Sequence, residues 1–392
     1  MRTTGPWRDD LVTSLLATTL VAGLFLDGWN HINLQNGALG SFWTIWHGLL
    51  YTGFNLTAFW VVTRNPHLYT RGAKPAPYLA PILGVRLRYP LAIFGLGLAA
   101  IGLFGDIAWH TAFGEETGVA RVIAPFHLFL FSGAAGLASA ALRSGWYAPQ
   151  FYPRESSFRT IFPPLLSLTL VTCVAAFMFQ WLDGFLDWTP SLVIGRLPLD
   201  LASDPRIRGT VEFAGAARVL MTNLILLAGL LLGLRRWHLP FGSATFLFVS
   251  VSFAMSALSS FDLGATVFAA LVGGLVADLI IDTFWPDPQH AFGYRVMAGV
   301  TPLALWTTYF LILQFVYGIV WPFDLWLGTT CLAAVSGLLL SFVAIEPHIP
   351  VLADDGRPMH VELTREAPAT SVTATHAGAP TTTFGGGDGG DE

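Results

Sequence analysis

Two segments of the sequence repeat one pattern of ionisable side chains. Each has an Asp, a His four residues later, and a second His after a gap of 15 or 16 residues. Positions i and i+4 of a helix share one face, and a neighbouring helix can supply the second His. The pattern predicts two clusters of two imidazoles and one carboxylate, the ligand set of catalytic zinc and non-haem iron sites, which also suits copper. The predicted ligands are Asp27, His31 and His47 in the first segment, and Asp106, His110 and His127 in the second.

The surroundings of the two clusters extend this prediction. Two repeats of parallel topology can pack about an axis normal to the membrane, so the clusters could adjoin and hold two metals. Glu115 and Glu116 follow the second Asp-x3-His, and either could add a ligand, a hydrogen-bond partner for a His, or a proton carrier. The competing interpretation is structural, with a carboxylate that only orients a His and caps a hairpin. Two copies with the third residue in register favour metal binding.

The elements that position these residues are predicted to be membrane helices. The chain is 54% hydrophobic and only 11% charged, against roughly 25% charged in soluble domains. Its net charge of -5 and scattered basic residues exclude nucleic-acid binding as a main function. Apolar stretches of about 17 to 25 residues can span a bilayer. They predict an all-α integral membrane protein with about ten spans, near 11–28, 42–62, 90–110, 123–142, 162–182, 214–234, 243–260, 264–284, 297–320 and 325–345.

The distribution of Lys and Arg predicts the orientation of the chain. Positive charge is retained in the short cytoplasmic loops of membrane proteins. One set of alternate loops holds 15 of the 20 basic residues, and the other set holds 5. Both termini are therefore predicted to be cytoplasmic in a multi-pass protein of the cell membrane, with the metal sites facing the non-cytoplasmic side.

These expectations divide the chain into five parts. The last part is rich in Thr, Ala, Gly and acidic residues and cannot bury enough apolar area to fold. The parts are a cytoplasmic N-terminus (1–10), a four-helix repeat unit carrying the metal sites (11–142), a cytoplasmic loop (143–161), a six-helix membrane bundle (162–346) and a disordered cytoplasmic tail (347–392).

Over about residues 20–142, the sequence resembles the C subunit of the copper-dependent membrane monooxygenases, the particulate methane and ammonia monooxygenases. The intramembrane metal region of that family has a carboxylate or amide, a His after three intervening residues, and a second His one helix hairpin later, twice over. The matching positions are the six predicted ligands. The hairpin gaps are a few residues longer here, and the second site has Asp106 where an amide is typical. The resemblance implies a transition metal with copper favoured, while the ligand set alone also allows iron or zinc.

The predicted function is a membrane-embedded, metal-dependent oxidoreductase, in particular a monooxygenase-like hydroxylase of an apolar small molecule that enters from the bilayer. It would need an external electron donor, because no haem, flavin or dinucleotide motif occurs in the sequence. One alternative is a zinc-dependent membrane hydrolase of lipid-like substrates. The others are a transition-metal transporter or sensor, and a non-catalytic membrane assembly subunit.

Two further sets of polar residues lie at the ends of predicted spans. Gln180 or Asp183 could line the same cavity as the metal sites, although a helix cap or a snorkelling carboxylate is the simpler interpretation. Asp278 and Asp282 are four residues apart and could form a second metal or proton site. Carboxylates at the polar end of a helix are instead expected to meet solvent.

Overall fold

A computed structural model shows which parts of the chain form the helices. The chain divides into two units, 1–346 and 347–392, and every described residue lies in the first. The structure describes residues 6–34, 44–65, 81–82, 85–86, 88–114, 118–191, 204–287 and 291–345.

Within these residues the chain is almost entirely helical. The helices are α1 (Pro6–Asn33), α2 (Ile45–Thr63), α3 (Pro90–Phe113), α4 (Val119–Ile123), α5 (Pro125–Ala138), α6 (Ala140–Tyr147), α7 (Phe158–Met178), α8 (Pro205–Arg236), α9 (Ser243–Leu258), α10 (Val267–Phe284), α11 (Ala291–Ile312) and α12 (Phe323–Ala344). The predicted all-α fold class is confirmed. A two-residue antiparallel pair, β1 (Pro81–Ile82) and β2 (Val85–Arg86), precedes α3. After α7 the chain makes two short 3-10 turns, and after α11 it makes a π-helical turn over Leu313–Tyr317.

A helix lies at each of the ten predicted spans. Among the described residues, seven helices are long and apolar enough to cross a membrane, and the bent pair α5–α6 makes eight. The helix α2 is not among them, and α9 has only 16 residues. These helices are consistent with a multi-pass membrane protein, while the count of ten and the sidedness of the termini stay predictions.

The predicted span 123–142 is not one straight helix. The axes of α5 and α6 differ by 42°, and a side chain from α7 explains the break. The Ser167 hydroxyl donates to the carbonyl of Ala138 and accepts the amide of Leu142 at 2.9 Å, so it replaces the direct i to i+4 hydrogen bond between them. Because α6 continues to Tyr147, the predicted loop 143–161 begins as helix.

Glycines set the distance within each of the two hairpins that carry the repeat. A Cβ on Gly53 of α2 would lie 2.6 Å from the Cα of Leu20 in α1. A Cβ on Gly133 of α5 would lie 2.6 Å from the Cβ of Ala99 in α3. Leu20 and Ala99 each precede the Asp of their repeat by seven residues, so the repeat in sequence is also a repeat in packing.

Helix α7 joins the repeat unit to the helices that follow. Of the membrane-length helices, α7 is the most enclosed. Of the residues in its most apolar stretch, 78% are buried, compared with 28% in α3 and in α12. One cluster of buried apolar residues runs from Leu24 in α1 through Phe177 in α7 to Leu230 in α8 and Phe310 in α11. The predicted parts 11–142 and 162–346 therefore share a core.

Candidate metal centre

The first triplet lies where α1 ends and α2 begins. Nε2 of His31 is 3.6 Å and Nε2 of His47 is 3.5 Å from the same carboxylate oxygen, Oδ2 of Asp27. One ligand atom from each residue lies within 4.8 Å of the others. Two ligand atoms at the usual 2.0–2.2 Å from a metal are about 3–3.5 Å from each other. Small movements that bring the three ligand atoms of this triplet closer together would therefore complete a metal site. Asp27 is 8% exposed, and its other oxygen, Oδ1, has no hydrogen-bond partner among the described residues.

The second triplet has the same arrangement between α3 and α5. Nε2 of His110 is 3.2 Å and Nε2 of His127 is 3.1 Å from Oδ1 of Asp106. These ligand atoms also lie within 4.8 Å of one another. Within the described part of the chain, these two triplets are the groups of His, Cys, Asp and Glu with the spacing that a metal requires. The sequence prediction that each triplet converges is confirmed.

A hydrogen bond at Nδ1 of His110 determines whether Nε2 of the same ring can bind a metal. Nδ1 of His110 is 3.2 Å from the carbonyl oxygen of Gly114, and a carbonyl can only accept, so Nδ1 carries the proton. In the neutral ring Nε2 then carries a lone pair and no proton, and this nitrogen faces the carboxylate of Asp106. Two electron pairs at this distance repel unless a cation or a second proton lies between them. A back-side hydrogen bond of this kind is the usual way to orient a metal-binding His.

Local contacts fix the first triplet in place. Beyond Asp27, the end of α1 is tied to the end of α9, because the Trp29 indole donates to Ser260 at 2.8 Å and the Asn33 amide donates to the Leu258 carbonyl at 2.8 Å. Thr44 caps α2, and its Oγ1 accepts the backbone amide of His47 and lies 3.1 Å from Nδ1 of the same residue. The cap therefore orients the imidazole that it precedes.

Both triplets line one cavity of about 620 Å³. Equivalent positions of the two repeats both contribute to it, because its lining includes pairs that occupy corresponding places in the two sequences. The apolar pairs are Leu20 with Ala99, Leu24 with Leu103, Leu50 with Leu130, and Phe54 with Ala134. Among the described side chains, the lining contains no Lys or Arg. Two carboxylates in a lining whose described residues include no Lys or Arg make the centre attractive to cations.

The two halves of the cavity differ at one position next to the ligands. Tyr51 stacks on His47 with ring centroids 6.1 Å apart, and Phe131 stacks on His127 at the same separation. The first repeat therefore places a ring with a hydroxyl group beside its triplet, and the second repeat places an apolar ring there.

The remaining sequence predictions have different outcomes. Glu115 and Glu116 lie outside the described residues. Gln180 lines the shared cavity, but Asp183 does not. Asp183 is 2% exposed, accepts the Thr222 hydroxyl at 3.1 Å, and caps a 3-10 turn through the Phe185 amide, so it acts as the predicted cap. Burial raises the pKa of Asp183 from 3.8 to about 7.

The acidic pair of α10 separates into two environments. Asp282 is exposed, as the sequence predicts. For Asp278 the expectation of solvent contact is wrong, since it is 1% exposed and accepts the backbone amides of Ala244 and Thr245 at 2.9 and 3.0 Å. Its carboxylate satisfies the first amides of α9, which otherwise have no acceptor at the helix start. The predicted second metal site is not formed by these described residues.

Sequence reasoning missed a buried carboxylate at the other end of α1. Asp10 is 0% exposed and accepts three hydroxyl groups, from Tyr89 at 2.8 Å, Ser144 at 2.9 Å and Tyr152 at 2.8 Å. Its only local signal is an Asp in the first turns of a membrane helix. The partners lie 79 to 142 residues away, so no local pattern connects them.

Comparison with known proteins adds no relative to this description. No protein-family model, no curated protein and no solved structure matches the chain. The resemblance to the copper monooxygenase subunit therefore stays a prediction based on the six ligand positions.

Proposed function

We propose that the protein is a metal-dependent membrane oxidoreductase that hydroxylates an apolar small molecule. One observation carries the proposal: both Asp-His-His triplets line a single cavity whose other walls are mainly apolar. A pocket of this volume is of the size that holds a drug-sized ligand. Apolar walls around two open ligand sets would bring a hydrophobic substrate beside a metal and keep bulk water away.

The side chains of the chain have separate roles in this proposal. The four imidazoles and two carboxylates of the triplets hold the metals, and two imidazoles and one carboxylate leave coordination positions open. A bound transition metal would supply the site for oxygen activation, and the resemblance favours copper. The leucines and phenylalanines of the repeat bind and orient the substrate.

Hydroxylation of a C–H bond by dioxygen consumes two electrons and two protons and releases one water. The electrons must come from an external reductant, because the sequence has no motif for a redox cofactor. Glu115 and Glu116 follow the second triplet in the sequence, and we propose them as the groups that deliver protons.

The first test measures metal content. Purified protein is loaded with Cu(I), Fe(II) or Zn(II) in turn, desalted, and analysed for metal per chain, beside His31→Ala and His127→Ala. We expect two equivalents in the wild type and about one in each variant, since each loses one triplet. His238→Ala is the matched control, because His238 stacks on Trp285 and belongs to neither triplet. A wild type that retains none of these metals would overturn the proposal.

The second test follows the oxygen atom. Membranes that contain the protein are incubated with a reductant and ¹⁸O₂, and their lipid-phase molecules are analysed by mass spectrometry. We expect the label in hydroxylated products, and its absence when His31 and His127 are both replaced by Ala. Products that take their oxygen from labelled water, in a zinc-loaded protein without reductant, would instead identify the hydrolase alternative.

A further inference from the structure

One wall of the cavity comes from outside the repeat. Gln180, in the 3-10 turn that follows α7, lines the cavity together with Trp181 and Leu186. Gln180 is half-buried, and no hydrogen bond among the described residues involves its side-chain amide. A primary amide at the edge of a mainly apolar cavity can therefore pair with a bound molecule or with water.

The turn that carries Gln180 is held in place. Arg218 of α8 donates from Nε to the carbonyl of Trp181 at 3.0 Å and from Nη1 to Asp187 at 2.9 Å. The Tyr309 hydroxyl donates to the carbonyl of Gly184 at 2.8 Å. The backbone on the C-terminal side of Gln180 is therefore fixed to two other helices, so this residue borders the cavity from a position that is held in place.

Amides with a structural role look different in this chain. The Asn223 amide donates to the Ala333 carbonyl at 2.9 Å and accepts the Trp306 indole at 3.2 Å. The Asn33 amide donates to the carbonyl of Trp29 and bridges α1 to α9. Gln180 has neither kind of contact, so interhelical stabilisation does not account for it.

We propose that Gln180 binds the single neutral polar group of the substrate, a hydroxyl or carbonyl oxygen, and orients an otherwise apolar molecule toward the triplets. A primary amide can donate to an oxygen and accept from a hydroxyl, and it carries no charge. Outside the triplets, the described lining residues carry no charged side chain that would pair with an ionic headgroup. The inference rests on the proposed function, since it names the class of substrate: an apolar alcohol or ketone rather than a plain hydrocarbon.

The test compares two photoreactive probes on the purified full chain in lipid nanodiscs. One probe is a medium-chain aliphatic alcohol with a mid-chain diazirine, and the other is the matched hydrocarbon with the same diazirine. Peptide mass spectrometry measures labelling of the cavity-lining segments as a function of probe concentration. We expect the alcohol to label the cavity at lower concentration than the hydrocarbon. Gln180→Leu should raise the concentration of alcohol needed for labelling by about two- to tenfold, the value of one neutral hydrogen bond. The concentration of hydrocarbon needed should stay the same or fall.

Controls separate this inference from the proposed function. Gln314→Leu removes an exposed amide that does not line the cavity, and should change neither probe. Gln180→Asn keeps the amide but shortens its reach, and it serves as a second test if Gln180→Leu does not fold. It should also raise the concentration of alcohol needed for labelling. The measurements are made with and without added metal, so the amide is tested even if the triplets bind none. Equal labelling by both probes in the wild type, unchanged alcohol labelling in Gln180→Leu, or loss of bound metal from Gln180→Leu would each overturn the inference.

Discussion

Asp27 and Asp10 lie in the same helix and are 8% and 0% exposed, yet their surroundings are opposite in kind. Asp10 accepts hydrogen bonds from three hydroxyl groups, and its lone pairs are directed at donors. Asp27 faces two imidazole nitrogens, and its Oδ1 has no partner among the described residues. Asp106 resembles Asp27, whereas Asp183 and Asp278 resemble Asp10. Burial of a carboxylate in a membrane protein therefore does not by itself mark a site; the type of its neighbours does.

The two kinds of carboxylate also differ in what positions them. The hydrogen bonds of Asp10 connect α1 to three other segments and stabilise the fold directly. The triplet of Asp27 is positioned by the close packing of α1 against α2, where Gly53 meets the backbone of Leu20. Loss of Asp10 should therefore affect stability, and loss of Asp27 should affect ligand binding.

The largest expected difference is between Asp10→Ala and Asp27→Ala. Asp10→Ala leaves three buried hydroxyl groups without their acceptor, and we expect it to lower the free energy of unfolding by about 3–5 kcal/mol. In the metal-free protein, Asp27→Ala should cost much less, because it removes a carboxylate that faces a cavity. Thermal and denaturant unfolding in one detergent measures both. A larger loss of unfolding free energy in Asp27→Ala than in Asp10→Ala would contradict the distinction between the two carboxylates.

The next effect is the pH dependence that comes from Asp183. Its pKa is about 7 in the fold and 3.8 as the ordinary value, so between these pH values the folded chain holds a proton that the unfolded chain has released. Stability should fall as pH rises from about 4 through about 7, by on the order of 4 kcal/mol in total. Asp183→Asn should remove this fall. Unfolding free energies across that range test it, with the exposed Asp282→Asn as control, and an unchanged slope in Asp183→Asn would contradict the assignment.

A smaller effect tests the packing that positions the first triplet. In Gly53→Ala the new Cβ would meet the backbone of Leu20 at 2.6 Å, and we expect a loss of about 1–3 kcal/mol together with weaker metal binding at the first site. Gly48→Ala is the matched control in the same helix, because nothing lies within 4 Å of its Cβ. It should instead gain up to about 1 kcal/mol in helix propensity. Similar results for the two variants would show that close packing does not position the triplet.

The smallest effect distinguishes the two triplets from each other. Thr44→Val removes the hydroxyl that caps α2 and contacts Nδ1 of His47, whereas the corresponding position in the second repeat is Ala124. We expect a loss of about 1 kcal/mol in stability and an affinity for metal lowered about tenfold at the first site only. Stepwise metal titration followed by elemental analysis measures the two affinities. Equal weakening of both sites would contradict a local role for Thr44.

The triplets could be predicted from the sequence because their geometry is local. Spacing of i and i+4 places Asp27 and His31 on one face, and a hairpin brings His47 to them without information from the rest of the fold. The same reasoning suggested that the two clusters adjoin, and the shared cavity agrees with that expectation.

The features that sequence reasoning missed depend on distant pairings. Asp278 caps α9 from 34 residues away, and the Tyr152 hydroxyl donates to Asp10 from 142 residues away. The break between α5 and α6 needs a serine from α7, and neither Ser139 nor its neighbours signals it. Each of these contacts is set by which helices pack together, and hydropathy alone does not determine that.

The break that Ser167 causes between α5 and α6 lets one stretch of helix contribute to two separate sites. Up to Ala138, the helix runs against α3 and supplies His127 to the second triplet. After the change of direction, it supplies Ser144 to the carboxylate of Asp10, which a straight continuation would approach from a different angle. A substitution that restores the direct hydrogen bond from the Leu142 amide to the Ala138 carbonyl would therefore change the angle between α5 and α6. The Ser167 hydroxyl thus sets the orientation of the helix that contacts Asp10 relative to the helix that lines the cavity.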